Sequence, residues 1–178
     1  MRLQQPAGRH PHPHPDPDPG RHAAPETVAG PGAVTKCTVD ARTLLSAWVD
    51  AGYPESEPFA FTDLNGSACQ AAYADVQPLF VEGNLWYSGA LGCTTCHNPT
   101  LSAASAQMDL SSHAGIVAGS RRASADVSGN DILGGGNWEL SKLNEQLFVL
   151  EKMPFGRPPG AVEPDGPVIL AGTPVQAP

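Results

Sequence analysis

Apolar residues recur at helical spacing in several stretches of the chain. From Ala41 onward, Leu44, Leu45, Trp48 and Val49 fall at i, i+1, i+4 and i+5, and Gly52 stands where such a helix would stop, which predicts a short amphipathic helix. The stretch SACQAAYADVQPLF after Gly66 brings Ala72, Val76, Leu79 and Phe80 toward one face, with Pro78 kinking or ending the helix. In SSHAGIVAG, Ser111 or Ser112 serves as N-cap and Gly119 as stop. The strongest period is in WELSKLNEQLFVLEK, where Asn137 caps a helix carrying Leu140, Leu143, Leu147 and Leu150. That helix must end at Met153, because the next residue is Pro154. Between these stretches, YPESEPFAF reads as an extended linker, residues 83–92 as a loop, and the Gly-, Ser- and Asp-rich run from Ser120 to Gly136 as a long surface loop. No alternation is long enough to support a sheet, so the expected fold class is mostly α.

Composition narrows where a core can form. The 178 residues suit one domain, but the 19 glycines and 19 prolines collect at the two ends, leaving roughly residues 36–158 as the core-forming part. Residues 1–34 read as a disordered Pro/His-rich tail, since proline at every second position from Pro11 to Pro19 forbids helix and ladder alike and favours extended polyproline. His10, His12, His14 and His22 offer a loose metal site, yet nothing in this composition fixes a coordination geometry, and a solvated tail is the simpler reading. Residues 159–178 read as an extended, Pro-rich tail. A net charge of −8, from 18 acidic and 10 basic residues, argues against nucleic acid, which needs a basic face. It favours a protein partner with a basic or dipolar docking face. No run approaches the apolar length of a membrane span.

The most specific chemical signal is Cys93-Thr94-Thr95-Cys96-His97. Two cysteines at this spacing reach the two vinyl groups of one haem, and the histidine directly after them falls beneath the iron. The same residues admit a thioredoxin-like redox pair, which would follow a buried strand and open a helix, and a structural zinc site, which would need further ligands from Cys37, Cys69 or a histidine. A glycine-containing loop precedes the pair, no βαβ pattern surrounds it, and Cys37 and Cys69 are isolated singles, so haem is favoured. A haem would also supply apolar bulk to a chain with only 6% aromatic residues. For the second axial position, Met108 stands too soon after His97, whereas Met153 begins a loop that can lie over the ring. His113 is the rival ligand. Gly134-Gly135-Gly136 resembles a phosphate-cradling loop in composition only.

The run from Val76 to Pro159, with VQPLF, CTTCHN, MDLSSHAGIVAG and KMPFGRPPG, resembles the class I c-type cytochromes, in particular bacterial mono-haem domains of that family. The resemblance implies a small helical domain over residues 71–158 wrapped around one covalently attached haem c, with His97 and Met153 as axial ligands. It implies an electron carrier rather than an enzyme, serving as a module or subunit of a membrane-associated respiratory or photosynthetic electron-transfer assembly. The alternative is a peroxidase-like haem enzyme or gas sensor with an open distal site. The chain departs from the family in lacking a closing C-terminal helix. LSAWVDAG at Leu45–Gly52 is similar to the phrase that ends that helix, so residues 35–70, a short helix plus linker, are read as the end of a preceding cytochrome domain or as a stand-in for the missing helix.

Haem attachment of this type takes place outside the cytoplasm, so a periplasmic or extracytoplasmic location is expected. Met1 opens no apolar signal segment, which suggests a fragment of a longer exported protein. Export would expose Cys37 and Cys69 to oxidising conditions, and a disulfide between them is expected.

Overall fold

The structure is a computed structural model and describes residues 35–175. The Pro/His-rich tail and its histidines lie outside the described residues. The chain opens with strand β1 (Cys37–Asp40) and passes directly into helix α1 (Ala41–Asp50). Asp40 makes the transition, because its carboxylate accepts from the Thr43 amide at 2.7 Å and the Thr43 hydroxyl at 2.9 Å, satisfying a helix-end donor. The apolar stripe behaves as its spacing predicts: Leu44, Leu45, Trp48 and Val49 are completely buried.

Strand pairing on both sides of α1 corrects the expectation of a mostly α, cytochrome c-like helical domain. Strands β2 (Phe59–Thr62) and β3 (Ala68–Ala71) form an antiparallel hairpin, pairing Phe59 with Ala71 and Phe61 with Cys69. Near the chain end, β4 (Val168–Ala171) pairs antiparallel with β1, and β5 (Thr173–Pro174) adds to β3. The result is two small antiparallel sheets, β1-β4 and β2-β3-β5, with short helices. The supposed helix after Gly66 begins as a strand because Cys69 and Ala71 alternate inward and bury against the core, a period of two that overrides weak helical spacing. Only its second half is helical, as α2 (Tyr73–Val76) and α3 (Pro78–Val81), with Val76, Leu79 and Phe80 buried.

The two sheets are joined twice. Cys37 of β1 and Cys69 of β3 form a disulfide, as expected from the sequence. Gly172 lets the chain cross from β4 to β5: its φ is +57°, and a Cβ there would lie 2.3 Å from the Gln70 carbonyl oxygen. Asp75 braces the same corner, accepting from Lys36 Nζ at 2.9 Å, the Gly172 amide at 2.9 Å and the Ala72 amide at 3.2 Å.

Helix α4 (His113–Val117) is capped by Ser112, whose hydroxyl accepts from the Gly115 amide at 3.1 Å. The long helix predicted after Asn137 is broken. Trp138–Leu140 makes a 3-10 turn, Ser141 is extended and caps α5 (Lys142–Asn144), and α5 runs into a π turn over Glu145–Val149. Leu143, Leu147 and Phe148 are buried, while Leu140, in the 3-10 turn, and Leu150, after the π turn, are exposed. Among the described residues, no helix is long and apolar enough to cross a membrane.

Candidate functional site

The CTTCH segment is set against α3 by the loop that precedes it. Trp86 is buried there and its indole donates to the Leu79 carbonyl at 2.8 Å, while the Asn84 amide donates to the Ala90 carbonyl at 2.7 Å and folds the loop back. Gly92 then passes Val81 so closely that a Cβ would stand 2.4 Å from the Val81 carbonyl oxygen. This approach places a 3-10 turn, Cys93–Thr95, beside the end of α3, with Cys93 Sγ 3.9 Å from the Leu79 carbonyl oxygen. Amides of Cys96 and His97 both donate to the Cys93 carbonyl, at 3.1 and 2.8 Å, so the motif is one compact turn. Cys93 and Cys96 are free thiols, the first half-buried and the second exposed. Burial pushes the Cys93 thiol up to about 11.

His97 is buried and its Nδ1 lies 2.9 Å from the Ser105 carbonyl oxygen. Because a carbonyl only accepts, Nδ1 carries the proton and the lone pair is on Nε2, which makes no hydrogen bond among the described residues. Burial lowers the imidazole pKa below its ordinary value against the opposing effect of the Ser105 carbonyl, which favours the neutral ring that a metal requires. The loop that supplies this carbonyl is held in a conformation unusual for its residues. Leu101, Ala106 and Gln107 have φ of 50°, 57° and 48°, and Arg121, whose amide donates to the Ala106 carbonyl, has φ of 64°. Left-handed backbone at residues other than glycine costs about 1–3 kcal/mol each and persists where surrounding contacts over-determine it, commonly at functional sites.

Met153 follows the π turn. Its side chain is partly buried against the core and its amide donates to the Gln146 carbonyl at 3.1 Å. The next residues are pinned to the loop leading into the cysteine turn, since Tyr87 Oη donates to the Phe155 carbonyl at 3.0 Å. Arg157 fixes the other end, donating to the carbonyls of Leu147 at 3.2 Å and Val162 at 3.4 Å. Apolar side chains beside both segments are bare: Leu91 is 65% exposed and Phe155 85%.

Two free sulfurs on one turn, a neutral imidazole with an uncommitted Nε2 and a thioether on an anchored loop are the donor types that a covalently held haem would use. The rival readings fit less well. A thioredoxin-type nucleophile needs a depressed thiol pKa at the start of a helix, whereas Cys93 is shifted upward on a 3-10 turn. Zinc cannot recruit Cys37 or Cys69, which are bonded to each other. For the same reason the cluster of Cys37, Asp63 and Cys69, whose candidate ligand atoms lie within 4.8 Å of one another, presents a carboxylate beside a disulfide rather than two thiolates. His113 is also committed elsewhere, with Nε2 2.8 Å from the Tyr53 carbonyl oxygen and its ring edge-on to Trp48 and Tyr73. In comparisons of sequence and fold, no protein family, curated protein or solved structure matches the chain. Sequence reasoning named the candidate donors but missed the Ser105 carbonyl that holds His97 and the bonds of Tyr87 and Arg157 to backbone carbonyls around Met153, which leave no pattern in the sequence.

Proposed function

We propose that the chain is a mono-haem c-type electron carrier built on a mixed α/β scaffold. Cys93 and Cys96 hold the haem by thioether bonds, His97 is the proximal ligand and Met153 the distal one. The observation that carries this reading is the His97–Ser105 contact directly after the paired thiols, because it fixes the ring and its tautomer with Nε2 available. When bound, the haem supplies the Fe(II)/Fe(III) couple. The residues around it hold and orient: the loop after Met153 is tied down by Tyr87 and Arg157, which reduces the ordering entropy lost when its sulfur engages. With His97 and Met153 both holding the group, the couple it would supply suits outer-sphere transfer. The scaffold follows from core packing and the chemistry from the site it carries, so a c-type site does not require an all-helical domain.

The charge of −8 favours a partner with a basic or dipolar face, in keeping with a role as module or subunit of a larger membrane-associated electron-transfer assembly. The disulfide accords with an oxidising, extracytoplasmic compartment, the periplasm being our reading. Protein produced with a cytochrome c maturation system should retain one haem mass under denaturing mass spectrometry. Its oxidised form should show the weak near-infrared sulfur-to-iron band, and Met153→Ala should abolish that band and let carbon monoxide bind the reduced form. Haem extracted by acid acetone would refute covalent attachment. Ready binding of carbon monoxide by the unaltered protein would instead favour an open-site haem enzyme or sensor.

A further inference from the structure

The carboxylate beside the Cys37–Cys69 bridge is put there by the hairpin. Asp63 stands two residues beyond Phe61, whose register partner is Cys69, so strand alternation brings Asp63 to the face that carries Cys69. Two backbone bonds fix the turn: the Asp63 amide donates to the Ser67 carbonyl at 3.0 Å, and the Leu64 amide donates to the Thr38 carbonyl at 2.9 Å, drawing the turn against the residue after Cys37. Both Sγ atoms and a carboxylate oxygen of Asp63 thereby lie within 4.8 Å of one another. Donors around a tetrahedral zinc ion stand about 3.5–3.8 Å apart, given Zn–S bonds of about 2.3 Å and Zn–O bonds of about 2.0–2.2 Å. Opening the S–S bond would leave three donors at close to that spacing.

The carboxylate is also oriented and ionised. Its Oδ1 accepts from the Ser67 amide at 2.7 Å and the Asn65 amide at 2.9 Å, while Oδ2 receives, among the described residues, only the Asn65 side-chain amide at 3.5 Å. One oxygen holds the group in place and the other keeps lone pairs for a cation. The Ser67 amide, opposed by burial and aided by Asn65, keeps the carboxyl below its ordinary value. Both cysteines are buried and Asp63 is half-buried, so the cluster is reached from the turn.

We propose that reduction of the Cys37–Cys69 disulfide unmasks a zinc site, in which the two thiolates and the Asp63 carboxylate bind the ion and a water completes the tetrahedron. None of the residues of the haem reading takes part, so the two stand or fall separately. A dithiol reductant gives two electrons and two protons to the S–S bond and leaves as its own disulfide; Zn2+ then displaces both thiol protons to solvent. Thiolates select such a cation over Ca2+ or Mg2+. The ion takes over the link between β1 and β3, so the two sheets stay joined in either redox state.

The test uses the full chain carrying Cys93→Ser and Cys96→Ser, in which Cys37 and Cys69 are the remaining cysteines. Co2+ is the probe, because thiolate-to-cobalt charge-transfer bands report sulfur ligands and not the histidines of the chain. After reduction by a dithiol and its removal under nitrogen, one Co2+ per chain should bind with these bands and be displaced by Zn2+, and the oxidised protein should show none of them. Asp63→Asn should weaken binding at least about tenfold, the loss that even outer-shell changes bring. Absence of the bands from the reduced protein, or unchanged affinity in Asp63→Asn, would overturn the proposal. Should the reduced chain not stay folded, Zn2+ should restore cooperative urea unfolding to it, because the ion binds the assembled site. A reduced chain that remains unfolded with Zn2+ present would overturn it equally.

Discussion

The two cysteine pairs occupy regions built on different principles. Cys37 and Cys69 come from strands 32 residues apart in sequence, lie on buried faces of two different sheets and are covalently joined. Around them Trp48 packs against Tyr53, Tyr73 and His113, and Asp75 ties the Lys36 side chain to the backbone amides of Ala72 and Gly172. Cys93 and Cys96 sit on a single turn, remain free thiols, and are flanked by exposed leucine and phenylalanine side chains and a loop with several left-handed residues. The first region is closed by its disulfide, although the buried Tyr73 hydroxyl has no hydrogen-bond partner among the described residues. The second leaves an imidazole nitrogen and apolar side chains without partners among the described residues.

That contrast can be broken experimentally, beginning where the effect should be complete. Cys93→Ser combined with Cys96→Ser should eliminate covalent haem, seen by mass, while denaturant titration still shows cooperative unfolding of the disulfide-linked region. Loss of that cooperativity would mean that the two regions are not energetically separate. The reverse substitution, Cys37→Ala with Cys69→Ala, should cost about 3–4 kcal/mol in urea unfolding by loop-closure entropy and leave haem attachment intact. A cost near zero would show that the sheets hold each other without the bridge. Asp40→Ala removes the cap of α1 and should cost about 1 kcal/mol in the same assay, with Asp40→Asn recovering most of it.

The smallest effect expected is an acid limb from Asp75. Burial raises its pKa, but the Lys36 ammonium and the amides of Gly172 and Ala72 outweigh burial and bring it below 3.8. A carboxyl whose folded pKa is depressed contributes stability above its unfolded value and loses it as pH falls through the folded value. Stability should therefore decline below about pH 3.8 with a component that Asp75→Asn lacks. Identical acid limbs in the two proteins would remove Asp75 from its role at the corner of the sheets.

Local chemistry makes part of this legible. The stripe of α1 and the Ser112 cap depend on neighbours within a few residues, and the structure places both as their spacing predicts. The hairpin is equally local but hidden: Phe59 and Phe61 alternate with smaller residues, Asn65-Gly66 makes the turn, and Cys69 and Ala71 resume the alternation, a pattern obscured by the helix-favouring alanines after Gly66. The broken helix after Asn137 has a good helical period in sequence. Its register is decided at Ser141, where the Lys142 and Leu143 amides turn to the distant Ile132 carbonyl.

By itself, then, the sequence determined the donor atoms of the candidate site, the first helix, the acidic surface and the availability of a cysteine pair for oxidation. Tertiary structure alone decided that Val168–Ala171 closes on Cys37–Asp40, that Ser105 holds His97, and that Arg122 is buried. The physical reason is range. Spacing and capping act through bonds within a turn or two, whereas strand pairing and carbonyl contacts join segments whose meeting depends on the packing of the whole core, and a backbone carbonyl carries no residue identity from which its partner could be read.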